Sequence, residues 1–187
     1  LAEDPEDDEV LYQLGVVHGL AKDSDAALRY MRKSLELNPD NAHALNYIGY
    51  TYAERGERLE EAEAMISRAL ELSPGDGYIA DSLGWVFYMR ARPLMSTGRR
   101  SDGVAFLEKA RHQLDLAAEL TGGDPVVSEH LGDVYLLLDQ RERALHYYME
   151  AVEMDHREDE QPQLLQKLDE LRRQLESEPP RPGEPES

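Results

Sequence analysis

Cysteine is absent from the 187 residues, so disulfides and thiolate chemistry play no part. That absence suits an oxidising and a reducing compartment equally and decides nothing about location. No apolar run is long enough to span a membrane. Positive charge is scarce: 20 Lys and Arg stand against 39 Asp and Glu, a net charge of −19, and no basic face of useful size forms. Nucleic acid is therefore a poor partner, because phosphate contacts need clustered cations. The acid excess itself has a simple reading as the solvated surface of helices. Motifs that carry chemistry are missing too. There is no HExxH, GxSxG, P-loop or GxGxxG, and the six histidines have no ligand spacing. The expectation is no catalytic residue, no metal, no cofactor and no small-molecule substrate.

What the chain does contain is a repeat. Leu14-Gly15, Ile48-Gly49, Leu83-Gly84 and Leu131-Gly132 recur, each followed three residues later by a ring: His18, Tyr52, Phe87 and Tyr135. The glycines lie 34, 35 and 48 residues apart, so the third unit carries 14 extra residues. A period of this length signals stacked supersecondary units. Ala27, Ala62 and Ala144 follow the glycines by 12 or 13 residues, then come Met31, Ile66 and Tyr148, then the small Ser34, Ala69 and Ala151. Small residues mark places where antiparallel helices cross closely, since a larger group there overpacks at a cost of about 1–3 kcal/mol. Leu14, Leu28, Leu35, Leu45, Ile48, Leu70 and Leu145 supply apolar stripes at helical spacing. Pro5, Pro39 and Pro74 end the second helix of successive units. His18 replaces a packing ring and reads as a core residue. In the third unit the second helix can be registered on Gly103, Leu107 and Ala110, or on Ala110, Leu114 and Ala117. Gly98 as a turn and Ser101 as an N-cap favour the first, with one long helix over 101–121.

This pattern of Leu-Gly, aromatic, Ala, bulky residue and terminal Pro resembles the tetratricopeptide repeat, most fully over residues 8–41. The resemblance implies an all-α, right-handed α-solenoid of helical hairpins: repeats 8–41 and 42–76, an expanded repeat 77–124, and a fourth at 125–158. The second has an extra turn residue near Arg58-Leu59, and the fourth has His156 where proline would fall. The string Asp81-Ser82-Leu83-Gly84 looks faintly like a nucleophile elbow but lies inside a helical segment. Asp23-Ser24-Asp25 is too short for a calcium loop and sits at the interhelical turn. Pro5 lies 34 residues before Pro39, so residues 1–7 read as the end of a truncated preceding repeat. With no initiator Met, the expectation is an excised piece of a longer array, any signal peptide or lipid anchor lying upstream. An apolar face cut open this way is expected to drive self-association through the first unit. At the other end, Pro162 opens a helix whose Leu164, Leu165, Leu168, Leu171 and Leu175 form one stripe, opposite Gln163, Lys167, Glu170, Arg172 and Arg173. Segment 159–175 is thus read as a capping helix. Residues 176–187, with four prolines and mostly acidic charge, are read as a disordered tail.

In this family the first helix of each hairpin lines a concave groove that takes protein or peptide ligands. The matching positions here include Tyr12 and Val16 in the first unit, Asn46 and Tyr50 in the second, Tyr78, Asp81, Trp85 and Tyr88 in the third, and Glu129 and Asp133 in the fourth. Tyr50, Tyr78, Trp85 and Tyr88 suggest an aromatic platform, with packing between repeats as the alternative. Asn46 has the amide to hold a peptide backbone. Acids and rings occupy places where the carboxylate-clamp subgroup has Lys, Asn and Arg, so a ligand with apolar and basic side chains is favoured. A second candidate is the acid-free stretch 82–101 with Arg90, Arg92, Arg99 and Arg100, a basic docking patch for an acidic surface or lipid headgroup, or a set of partners for the protein's own carboxylates.

Leu45 to Trp85 is further similar to the C-terminal part of bacterial cell-envelope tetratricopeptide proteins, often lipoproteins. This implies a non-catalytic scaffold in the periplasm or at the periplasmic face of the outer membrane, with the cytoplasm as the alternative. One member type is an adaptor for an envelope protease. A pilotin-like assembly factor for an outer-membrane complex is the second reading.

Overall fold

The computed structural model describes residues 7–154 and 162–177, and among them every regular element is an α-helix. They fall into two compact units that divide between Gly122 and Gly123. The first holds three hairpins: α1 (Asp8–Leu20) with α2 (Ser24–Leu37), α3 (Ala42–Glu54) with α4 (Leu59–Leu72), and α5 (Gly77–Met95) with α6 (Arg100–Thr121). The second holds α7 (Pro125–Leu137), α8 (Arg141–Met154) and α9 (Pro162–Ser177). The expected end of a preceding repeat at 1–6, the end of the fourth repeat and start of the cap at 155–161, and the tail at 178–187 lie outside the described residues. Glu176 and Ser177, expected in the tail, belong to α9.

Five helices start on an acidic or amide cap. Asp7, Asp23, Asn41, Asp76 and Asp124 each accept a hydrogen bond from backbone N–H groups two or three residues on, satisfying donors that the helix cannot. The carboxylates among them also face the positive end of the helix dipole. Asp23 therefore serves the start of α2, and Ser82 lies deep inside α5, where its hydroxyl donates to the Tyr78 carbonyl at 2.9 Å.

The repeat motif is a packing rule. Each motif glycine sits against one bulky side chain of the partner helix: Gly15 on Met31, Gly49 on Ile66, Gly84 on Leu114 and Gly132 on Tyr148. Those four side chains are fully buried, as are the flanking small residues Ala27 and Ser34, Ala62 and Ala69, Ala110 and Ala117, Ala144 and Ala151. The contact of Gly84 with Leu114 fixes the register of α6 on Ala110, Leu114 and Ala117, which corrects the preferred reading on Gly103, Leu107 and Ala110. The N-cap reading of Ser101 is corrected with it. Ser101 is the second residue of α6, and the cap position is Arg99, which makes no side-chain cap bond. The cause is that both helices of the third hairpin are lengthened. With 19 residues, α5 is six longer than α1, and with 22 residues α6 is eight longer than α2. The added turns repeat the small-on-large pattern, with Gly103 against Met95 and Leu94. The hairpin ends on Gly122 and Gly123, at φ 71° and 100°, a left-handed backbone that side chains with a Cβ resist.

His18 is not a core residue. It is half-exposed at the end of α1, stacked on Tyr30 with ring centroids 5.2 Å apart and 3.6 Å from the Asp23 carboxylate. In the second unit, Leu164, Leu168 and Leu171 of α9 are buried against α8 and its surroundings, as a covering helix requires.

Candidate protein-binding site

The first helices of the three hairpins in the first unit share a cleft of about 300 Å³. Tyr12 and Val16 come from α1, His43, Asn46, Tyr47 and Tyr50 from α3, and Tyr78, Asp81 and Ser82 from α5, with Met31 of α2 behind them. Helical spacing puts these residues there: Tyr12 and Val16, Asn46 and Tyr50, and Tyr78 and Ser82 are each four apart and share one helix face. Tyr78 is 63% exposed, although large aromatic rings favour burial. Asn46 is half-buried, and its Oδ1 is shielded from solvent with no hydrogen-bond partner. A buried, unmatched amide oxygen costs free energy that a donor from a ligand recovers. Tyr12 lies 6.3 Å from His43, and burial, helped by the nearby Glu9 carboxylate, raises its hydroxyl above the usual tyrosine range. Burial likewise raises Tyr47, against the opposing influence of Thr51 and Arg55. The cleft thus has four phenol rings, one open amide acceptor and the largely buried side chain of Asp81. Two turns beyond Tyr78, Trp85 and Tyr88 stack on each other with centroids 4.8 Å apart. Of the four rings expected as one platform, Tyr50 and Tyr78 line the cleft and Trp85 and Tyr88 lie further along α5. Trp85 is half-buried.

A family model of the tetratricopeptide repeat matches residues 20–86, and a second matches residues 129–156. The chain belongs to the tetratricopeptide repeat family. TPR repeat-containing protein PA4667 of Pseudomonas aeruginosa is 33% identical over 129 residues, which are 69% of this chain and 19% of that protein. Photosystem I assembly protein Ycf3 of Rippkaea orientalis is 41% identical over 78 residues, 38% of this chain and 45% of that protein. The chain thus spans about a fifth of the first relative and less than half of the second. The crystal structure of TTC0263, a thermophilic TPR protein of Thermus thermophilus, superposes with a TM-score of 0.76 at 22% identity, covering 90% of this chain and 82% of that one. That likeness speaks to the fold, which is the all-α tetratricopeptide fold.

The fourth tetratricopeptide unit departs from its expected place in an acidic groove. The Lys167 ammonium of α9 sits 2.8 Å from a Glu129 oxygen and 2.8 Å from both oxygens of Asp133, and the Tyr148 hydroxyl donates to Asp133 at 2.6 Å. Asp133 is only 6% exposed. These two carboxylates are consumed inside the unit, and Lys167, expected on the polar side of the capping helix, is the residue that consumes them. Burial opposes the ammonium charge, but the two carboxylates outweigh it and hold Lys167 above the usual lysine range. Pairing of this kind has a sequence signal only in hindsight, because Lys167 lies between the leucines of the α9 stripe.

The arginines of the basic stretch divide between the two readings given for them. Arg90 is bound to Glu63 and Glu60 and lies over the Phe106 ring at 4.5 Å. Arg99 pairs with Asp102 at 2.8 Å, whereas Arg92 and Arg100 are exposed and make no ion pair among the described residues. Arg92 lies 5.9 Å from the centroid of Tyr88.

Proposed function

We propose that this chain is a non-catalytic scaffold that holds a partner polypeptide in the cleft across α1, α3 and α5. The observation that carries this reading is the pairing of an exposed Tyr78 with the unmatched Asn46 Oδ1 in one cleft, a ring to anchor a side chain and an acceptor for a backbone N–H. Tetratricopeptide domains bind proteins and peptides, and the fold fits such a role. The finer reading is an adaptor for a protease of the bacterial cell envelope, on the periplasmic side, and the bacterial source of the 33% identical tetratricopeptide relative is compatible with it. An assembly factor for an outer-membrane complex is the alternative, favoured by the relative named for photosystem I assembly. Enhanced turnover by a captured enzyme supports the adaptor. Lost oligomers of a channel in a deletion strain, with proteolysis unchanged, support the assembly factor.

The chain has a single tryptophan, and Trp85 lies about one turn beyond Ser82 of the cleft on α5. Partner binding is expected to shift its emission, and the Tyr50→Ala/Tyr78→Ala variant is expected to capture the partner at least about tenfold less well with unchanged helix content. Equal capture by the variant and the wild type sinks the proposal. Val17 and Leu20 are 61% and 81% exposed on α1, and self-association through the first unit is proposed from them. Light scattering at rising concentration is expected to show dimers that Leu20→Glu abolishes; a monomer throughout removes this proposal.

A further inference from the structure

The added turns of the third hairpin build a second cleft, of about 350 Å³, against the α3–α4 turn. Gly56, Arg58, Leu59 and Glu60 form one wall. The other is Arg90, Pro93, Leu94, Arg99 and Phe106, which all lie beyond the length of an ordinary hairpin in this chain, in the last turns of α5, the connection, or the first turns of α6. An adjoining hollow adds Met89 and Arg92. The floor is apolar and the rim is cationic, in a chain whose net charge is −19.

The cations divide by whether they are already committed. Arg90, 21% exposed, is fixed by Glu63 and Glu60, and Arg58 is held by Glu61 at 2.8 Å and by the Tyr52 hydroxyl at 2.9 Å. Arg99 has only the exposed pair with Asp102, a kind of contact that contributes little and is readily exchanged. Arg92, Arg100 and Lys109 have no carboxylate partner among the described residues, and the Lys109 ammonium lies 5.4 Å from the centroid of Phe106. Over residues 90–109 five cations face two acids, Asp102 and Glu108.

We propose that this cleft is a second docking site, which takes an acidic polypeptide segment with an apolar side chain between its carboxylates. The apolar side chain enters between Leu59, Pro93, Leu94 and Phe106, and the carboxylates reach Arg92 and Arg99. An anionic membrane fits less well, because the apolar floor is recessed and Glu60, with its side chain 80% exposed, stands on the rim. The site is separate from the cleft across α1, α3 and α5, so the chain offers two faces to two partners of different charge.

The test is fluorescence anisotropy with a labelled ten-residue peptide of Asp and Glu around one central Leu. Saturable binding is expected, weakened at least about tenfold by Arg92→Glu/Arg99→Glu and weakened again by raised salt. Leu94→Ser and a peptide with Ser in place of Leu are each expected to lose several-fold, while Tyr50→Ala/Tyr78→Ala binds as the wild type does. All the substituted residues are exposed or half-buried, and circular dichroism checks that each variant keeps its helix content. Absence of saturable binding, indifference to the Arg92→Glu/Arg99→Glu change, or equal binding of the Leu-free peptide overturns the proposal. So does loss in the Tyr50→Ala/Tyr78→Ala variant, which assigns the peptide to the other cleft. Arginine-dependent binding to phosphatidylglycerol vesicles without binding to the peptide overturns it in favour of a lipid surface.

Discussion

Replacing Lys167 by Met is expected to destabilise the second unit by about 1–3 kcal/mol, read from urea unfolding and from lost hydrogen-exchange protection in α9. The unpaired charge left behind sets the cost. Asp133 keeps only the Tyr148 hydroxyl at 2.6 Å, in a site where the Asp133 side chain is 7% exposed. Breaking a fully buried pair typically costs about 3–5 kcal/mol, but the Lys167 side chain is 35% exposed, so water screens part of the loss and the lower range applies. Asp133→Asn keeps an acceptor for Tyr148 and removes the charge. In the double variant Lys167→Met/Asp133→Asn part of the loss is expected to return, giving a coupling of about 1–2 kcal/mol. The pH dependence has a definite sign. Lys167 is raised above its ordinary 10.5 in the folded state, so its stabilisation is complete below that pH and is lost as pH rises through the higher folded value. Unfolding free energy of the wild type is expected to fall above about pH 10.5 more steeply than that of Lys167→Met. The raised tyrosines Tyr12 and Tyr47 push in the same direction in both proteins and cancel in the difference. Parallel curves refute the assigned pairing.

The hairpins were legible in the sequence because each unit repeats one steric demand: a glycine where a bulky side chain of the next helix must lie. Short spacings carried that demand without ambiguity in the first, second and fourth units. In the third it became ambiguous because the added turns obey the same demand, so Gly103 and Leu107 mimic the true crossing at Gly84 and Leu114. Periodicity identifies a helix face, but with two eligible faces on one long helix only the partner helix selects between them. Tyr12, Val16, Asn46, Tyr50, Tyr78 and Asp81 meet in one cleft because position within a hairpin fixes the direction in which each points. Glu129 and Asp133 occupy equivalent positions, yet their environment is set by α9, 34 and 38 residues away in sequence. The same limit applies to Arg90, whose partners Glu60 and Glu63 belong to the preceding hairpin. Ion pairs across hairpins follow no short spacing, so charge counting could locate the arginine island but not divide it into spent and open members.

Gly132→Ala is expected to cost about 2 kcal/mol, and Gly15→Ala almost nothing, although both are Leu-Gly glycines in equivalent helices. Two opposing magnitudes decide the outcome. Ala gains about 1 kcal/mol over Gly in a helix interior, while overpacking a filled core costs about 1–3 kcal/mol. At Gly15 the new methyl meets the Met31 chain, with its Cε at 2.9 Å, a flexible thioether end that can rotate away. The gain and the cost then nearly cancel. At Gly132 the methyl falls onto the Tyr148 ring, which is fully buried and tethered through its hydroxyl to Asp133 at 2.6 Å. The ring cannot retreat without breaking that bond and uncovering a carboxylate, so the upper part of the overpacking range applies. Gly49→Ala should lie between them, because Ile66 is branched and its Cγ1 stands 2.6 Å from the new carbon, with the Ala62 carbonyl at 3.1 Å. Urea unfolding of the three single variants is expected to give that order. A destabilisation of Gly15→Ala as large as that of Gly132→Ala would show that the glycines serve helix approach in general rather than one particular ring. Combining Gly132→Ala with Tyr148→Leu, which shortens the ring to a side chain that fits beside a methyl, should recover stability relative to the sum of the two single changes.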